Sequence, residues 1–310
     1  MHVYDECPNV LAMTLYDGCY NDLSVAAASP QIAVEPAHFL ADDGHQLRGT
    51  WFVPADAPIG AVIVAPAMAT RSSYYTAFAT WLAEAGFLAL TYDYRGMGTV
   101  AELRAARDTS LLTWGGDAAR ALETLLERAE GLPVTYLGHS MGAQLLPFVR
   151  HDLVSRIVMV STGVGSWRFN RPRIKVPAWL MFRVVAPVTT RLVGYYPGGA
   201  LRMTGDLPTG AMRQWARWCL AADYFAVDVP DIHARFAAIT APLTSVHFTD
   251  DELLAEPAMS AMEALFTGTA VDVRRLAPAD LGADRVGHHG LFRARLRPAW
   301  NELVAPLLAT

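Results

Sequence analysis

Val134-Thr135-Tyr136-Leu137-Gly138-His139-Ser140-Met141-Gly142, residues 134–142, joins a short apolar run to a Gly-x-Ser-x-Gly pentapeptide, and a further apolar stretch follows at once. The pentapeptide by itself is a common accident. Set between a buried strand and a helix, it predicts a nucleophile elbow, a reversal so sharp that the serine Oγ is thrust above the sheet. The glycines serve the crowding at that reversal, where strand and helix backbones meet. A helix running from Gly142 to Arg150 would place its N-terminus behind Ser140 and favour negative charge developing there.

Outward from this stretch, apolar runs alternate with helical patterns: 61–65, a helix over 74–85, 88–92, a helix over 111–129, 134–137, then 156–161. Continuous rather than alternating hydrophobicity marks strands buried on both faces, so the fold class is α/β, a mostly parallel central sheet flanked by helices. Upstream, His38–Ala41 and Gln46–Val53 around the turn Asp42-Asp43-Gly44-His45 predict a hairpin at a sheet edge. The alternation stops after about residue 161 and resumes at Leu243–Phe248, with a last strand over Asp272–Leu276. Between lies a segment rich in Trp, Tyr, Phe and Pro, read as a helical cap insertion over the strand ends. The expected organisation is an N-terminal arm at 1–33, a first core part at 34–161, the insertion at 162–239 and a second core part at 240–310.

Of the 310 residues, 53% are hydrophobic and 18% charged, and the mean hydropathy is +0.22. That excludes intrinsic disorder and allows a large core. With 25 basic against 30 acidic side chains, a formal charge of −5 and no Lys/Arg run, nucleic-acid binding is not expected. Three cysteines, Cys7, Cys19 and Cys219, are odd in number and lack metal-ligand spacing. No Lys or Arg precedes Arg48, so the basic start of a secretory signal is missing, and a reducing cytoplasm is the expected location. Val176–Val193, the most apolar long stretch, is interrupted by Arg183, Pro187 and Arg191; it reads as an amphipathic covering helix and not as a membrane span.

A serine hydroxyl needs a base and an orienting acid, here in the chain order Ser, Asp or Glu, His. The strand 243–248 ends in Thr249-Asp250-Asp251-Glu252; Asp251, third after Phe248, is the favoured acid and Asp250 the runner-up. Gly287-His288-His289-Gly290 supplies an imidazole from a glycine-flanked loop, with His288 favoured over His289. Oxyanion donors are the backbone N–H of Met141, directly after the nucleophile, and that of Met68 in Pro66-Ala67-Met68-Ala69, with Ala67 next. Candidate substrate-lining residues are His139, Trp179, Tyr195 and Trp215, although Trp215 and Trp218, three apart on a helix, read better as core. The scheme requires no cofactor; adjacent histidines and the lack of a His-Glu-x-x-His pattern argue against a metal. The expected partner is a small-molecule substrate.

Ser140 in its elbow, Tyr92-Asp93-Tyr94-Arg95-Gly96-Met97-Gly98 after a strand, and the late Gly287-His288 resemble the α/β-hydrolase superfamily over residues 38–308. More narrowly, Ala65-Pro66-Ala67-Met68, Gly194-Tyr195-Tyr196-Pro197-Gly198, Asp206-Leu207-Pro208, Gln214-Trp215-Ala216-Arg217-Trp218-Cys219 and Gly287-His288-His289-Gly290-Leu291-Phe292-Arg293 are similar to a poorly characterised bacterial group of predicted serine α/β hydrolases. The resemblance implies the fold and a triad in which the histidine directly after the glycine, His288, is the base; it brings no substrate. Two departures stand out. Pro66-Ala67 replaces the frequent His-Gly of the oxyanion loop, and Thr99 replaces the usual serine after Arg-Gly-x-Gly. The expected activity is hydrolysis of an ester or thioester with an apolar acyl or aryl group through an acyl-enzyme on Ser140. An acyltransferase or biosynthetic enzyme using the same triad, or a ligand-binding protein with a vestigial one, are the alternatives.

Overall fold

Mainly apolar runs form the middle of the sheet, because only a strand covered on both faces can bury every residue of such a run. The computed structural model describes residues 32–201 and 205–308. Eight strands form one sheet: β1 (Ala33–Leu40), β2 (Gln46–Val53), β3 (Gly60–Ala65), β4 (Phe87–Asp93), β5 (Val134–His139) and β6 (Arg156–Val160). A separate two-stranded ribbon, β7 (Tyr195–Tyr196) and β8 (Leu207–Pro208), intervenes before β9 (Leu243–Phe248) and β10 (Val271–Leu276) complete it. The spatial order is β1-β2-β4-β3-β5-β6-β9-β10. β1 and β2 run antiparallel to their neighbours and the other six run parallel. β3, β5 and β9 are buried along their whole length.

The two-residue period of β3 sends Val62 and Val64 to one face and Ile63 and Ala65 to the other. On the first face Phe78, Trp81 and Leu82 of α1 (Thr76–Glu84) pack with Trp300, Val304 and Leu307. On the second, Leu111, Trp114, Ala118, Leu122 and Leu125 of α3 (Leu111–Arg128) do so. Each large side chain buried this way contributes about 1.5–3 kcal/mol. The short α2 (Val100–Ala105) starts at Thr99, whose hydroxyl accepts from the Glu102 amide while the Glu102 carboxylate accepts from Thr99 N–H. Threonine therefore caps this helix as serine would.

Several expectations are corrected. The edge strand begins at Ala33 rather than His38; Pro36, which lacks a donor, is tolerated because β1 pairs on one side only. The helix expected over 142–150 is a single turn, α4 (Met141–Gln144), followed by a 3₁₀ turn at Leu146–Phe148. Pro147 cannot donate to an α-helical ladder, so the helix stops, and little macrodipole stands behind Ser140. After His289 the chain continues as two 3₁₀ turns, Gly290–Phe292 and Ala294–Leu296. Between β6 and β9 run α5 (Pro172–Leu180), α6 (Ala186–Val193), α7 (Thr209–Leu220) and α8 (Ile232–Ala237). A π turn at Met181–Val185 absorbs the mismatch between α5 and α6, so Pro172–Val193 is one helical run that Pro177 and Pro187 do not interrupt. It is long and apolar enough to cross a bilayer by length and composition alone. The arm expected over 1–33 lies, up to residue 31, outside the described residues.

The loop after β4 is tied to α3 by charge. The Arg95 guanidinium donates to Asp117 Oδ1 from Nε at 2.9 Å and from Nη2 at 2.7 Å, and Trp114 Nε1 donates to the Arg95 carbonyl at 3.1 Å. Asp117 is fully buried; Asp43 also pairs with the guanidinium from the solvent side, so removing Asp117 leaves the inward-facing Arg95 donors, its backbone amide among them, without an acceptor. Asp117→Ala is expected to lower the unfolding free energy by about 1–3 kcal/mol, read from urea denaturation of the variant beside the parent.

Candidate active site

In a parallel sheet the strands deliver their carboxyl ends to one edge, and the loops leaving β3, β5, β6 and β9 converge there. Three non-glycine residues among those described have positive φ, and all three lie on this edge: Ala69 at 58°, Ser140 at 51° and Ser161 at 48°. Such conformations cost about 1–3 kcal/mol each and persist where surrounding contacts enforce them. At Ser140 the enforcement is visible. Its amide donates to Val160 O at 2.9 Å, and a Cβ on Gly142 would stand 2.2 Å from Ala65 O, one on Gly138 2.6 Å from Ala143 N. Both glycines are therefore needed for close approach, not for φ.

Three consecutive acids at the end of β9 hold one loop. Asp250 accepts from the Val286 and Gly287 amides at 2.9 and 3.0 Å, Glu252 accepts from the His288 amide at 3.2 Å, and Asp251 Oδ2 lies 2.8 Å from His288 Nδ1. Asp251 Oδ1 takes the Leu253 and Leu254 amides at 2.8 and 2.9 Å. Burial pushes the Asp251 carboxyl up, but the hydrogen bond and charge of His288 and these two amides outweigh it and hold the pKa below the ordinary carboxylate value. An ionised Asp251 can only accept, so Nδ1 of His288 carries a proton, and in the neutral ring the lone pair then falls on Nε2.

His289 turns away from Asp251. Its Nε2 lies 3.3 Å from Thr70 Oγ1, and its carbonyl accepts from Tyr74 Oη at 2.7 Å. His139 is fully buried rather than open to a ligand. Its Nε2 lies 3.0 Å from His288 O and its Nδ1 2.8 Å from Tyr75 Oη, while Tyr75 Oη accepts from the Ala67 amide at 2.9 Å. Because a carbonyl only accepts, Nε2 is the protonated nitrogen and Tyr75 donates to Nδ1. One chain thus runs from the loop after β3 through Tyr75 and His139 to the backbone of His288. No local signal in the sequence pointed to Tyr75.

The other expected positions are spread out. Met141 is buried at the start of α4 and Met68 is half-buried after β3. Trp215 meets Phe182 edge-on at 5.0 Å between ring centroids, Tyr195 sits in β7 beneath the Arg104 guanidinium, and Trp179 is 39% exposed. A cleft of about 560 Å³ opens at His289, lined also by Thr70, Tyr74, Arg71, Arg285, Arg293 and Arg295. The insertion leans on this edge: Tyr224 Oη donates to Gln144 Oε1 at 3.2 Å, and a Cβ on Gly205 would stand 2.7 Å from Ala69 O. Among the described residues no three His, Cys, Asp or Glu side chains converge to hold a metal.

Two predictions follow from these contacts. Gly142→Ala drives a methyl group into the Ala65 carbonyl, which is backbone and cannot yield; the variant is expected to lose more than about 3 kcal/mol or to fail to accumulate as folded protein, read by urea denaturation and circular dichroism. Desolvation, reinforced by the charge of His288, lowers His139 well below 6.5 and His289 to about 4. Between those values the unfolded chain binds more protons than the folded one, so stability falls as pH drops from 6.5 towards 4. The urea midpoint is expected to fall across that window, and less steeply in His289→Gln.

Residues 56–194, a little under half of the chain, match the family model described as serine aminopeptidase, S33. No curated protein matches the sequence. Among solved structures, an α/β hydrolase, GrgF, from Penicillium sp. is 17% identical with a TM-score of 0.57, covering 89% of this chain and 98% of its own. The esterase domain of a Rhodothermus marinus protein is 14% identical with a TM-score of 0.55, covering 88% and 97%. The thioesterase domain from the curacin biosynthetic pathway is 16% identical with a TM-score of 0.54, covering 90% and 100%. At these identities the likeness is one of fold, and together with the strand order it leads to one conclusion: this chain is an α/β-hydrolase-fold protein.

Proposed function

We propose that the protein is a serine hydrolase acting on a carboxylic ester or thioester through an acyl-enzyme on Ser140. The 2.8 Å contact between Asp251 and His288 Nδ1 carries this reading, because it leaves the Nε2 lone pair available to a serine hydroxyl. His288 Nε2 takes the Ser140 proton as Oγ attacks the carbonyl carbon, and Asp251 stabilises the imidazolium that results. The oxyanion is held by the amides of Met141 and Met68. Ala67 is the weaker candidate, since its N–H is already donated to Tyr75. Pro66 precedes Ala67 by one residue and Met68 by two, so it occupies neither position and its missing N–H does not matter. His288 then gives its proton to the leaving alcohol or thiol, and water, activated by the same nitrogen, releases the acid. No step calls on a metal or organic cofactor.

The aromatic insertion supports a preference for apolar acyl groups less than its composition suggested, since Trp215 packs on Phe182 and Trp179 faces outward. His139 acts in this scheme as a positioning residue beneath His288. The strained Ser140 backbone and the low Asp251 pKa argue for a working site over a vestigial one.

A fluorophosphonate probe read by intact mass tests the reading. One adduct is expected on the parent chain, none on Ser140→Ala, and labelling slowed at least about 100-fold in His288→Ala. A folded parent chain that takes no label, or a Ser140→Ala variant that still takes one, overturns it. With p-nitrophenyl esters and acyl thioesters, Asp251→Asn is expected to lower kcat by about 10³-fold or more. An aminoacyl p-nitroanilide turned over faster than either would replace the ester reading with a peptidase one.

A further inference from the structure

The helical run Pro172–Val193 has two unlike faces. Ala178, Met181, Phe182, Ala186 and Thr190 are buried, with Phe182 against Trp215 of α7. Opposite them, every fourth residue is a large apolar side chain in solvent: Val176 at 65% exposure, Leu180, Val184, Val188 and Leu192 at 79%. Residues four apart on a helix are neighbours, so these five form a continuous ridge, and Trp179 widens it. Only 28% of the most apolar part of the run is buried. Single exposed apolar residues are ordinary, but a contiguous ridge of this length marks a surface that something covers.

Charge decides what covers it. The chain as a whole is acidic, at −5, yet between Asp152 and Asp206 it contains no Asp or Glu. Arg171 caps the same helix, and Arg173, Lys175, Arg183 and Arg191 lie along it, Arg183 and Arg191 in solvent beside the ridge. Among the described residues none of the five is paired with a carboxylate. A second copy of the chain would set this cationic face against itself, which repels. An apolar ridge with Trp, edged by cations and cleared of acids, is instead complementary to an anionic lipid surface. There the aliphatic side chains enter the headgroup boundary and the Arg and Lys heads reach phosphates.

We propose that α5 and α6 dock the protein on the surface of an anionic phospholipid bilayer, lying in the interface with the Val176–Leu192 ridge inward. The inner stripe stays on α7, so the helix lies on the bilayer and does not cross it. The proposal is independent of the chemistry at Ser140.

The test is cosedimentation of the full chain with large vesicles of phosphatidylcholine alone and of phosphatidylcholine with one-third phosphatidylglycerol. Binding to the anionic vesicles is expected to be at least about tenfold stronger, and to weaken as salt is raised. Val188→Asp with Leu192→Asp, and separately Arg183→Glu with Arg191→Glu, are each expected to cut it at least about tenfold. Thermal melts should match the parent's, since all four side chains are exposed. No binding to anionic vesicles, equal binding to both kinds, or binding indifferent to both variant pairs overturns the proposal. A solution dimer that binds no vesicles and that Val188→Asp with Leu192→Asp converts to monomer also overturns it, and assigns the ridge to a second copy.

Discussion

The turn at the end of β5 depends on two backbones being allowed to touch. Gly142 lies so close to Ala65 O, and Gly138 to Ala143 N, that no side chain fits at either position. That approach lets β5 reverse within one residue at Ser140, with φ at 51°, and keeps β3 and its following loop against the start of α4. The loop from Pro66 to Thr70 is fixed in turn, and with it the position of Met68. The strain at Ser140, Ala69 and Ser161 is sustained because three parallel strands, each buried on both faces, end side by side.

Across the site, electrostatics does the work that close packing does at the elbow. Asp250 and Glu252 take backbone amides of residues 286–288, and Asp251 between them takes the His288 ring. Alternation along the chain gives each acid a different direction, so one tripeptide both anchors the loop and orients the imidazole. From below, His139 donates to His288 O, and Tyr75 fixes the tautomer in which it can. The His288 backbone is thus gripped from two sides, as the proposed proton transfer would ask of its base.

The insertion divides its own residues in a similar way. Its inner aromatics, among them Phe182, Trp215, Trp218 and Tyr224, form a core continuous with that of the sheet. Its outer helix keeps an apolar ridge in solvent and excludes acids. A helix held by one face alone is free to use the other, and here composition and exposure both point to a surface outside the protein.

Sequence by itself determined the α/β class, the positions of the buried strands along the chain and the elbow, because continuous apolar runs and a Gly-x-Ser-x-Gly between strand and helix are local patterns with local causes. It also narrowed the acid and the base to a tripeptide and a His-His pair. The sequence favoured Asp251 and His288 within those candidate sets, and the tertiary structure shows that these two side chains meet, since adjacent side chains share a sequence neighbourhood but point in different directions. Tyr75 was invisible for the same reason: it meets His139 across 64 positions of chain. The brevity of α4 was misread from its apolar pattern, since Pro147 ends the α-helical ladder, whereas the covering helix expected over 176–193 is present, with a π turn at its middle. His139 and Trp179 were both candidates to line a ligand site and burial separates them, while Trp215, which already read better as core, packs on Phe182. That burial is set by packing between elements far apart in the chain, which no stretch of sequence contains.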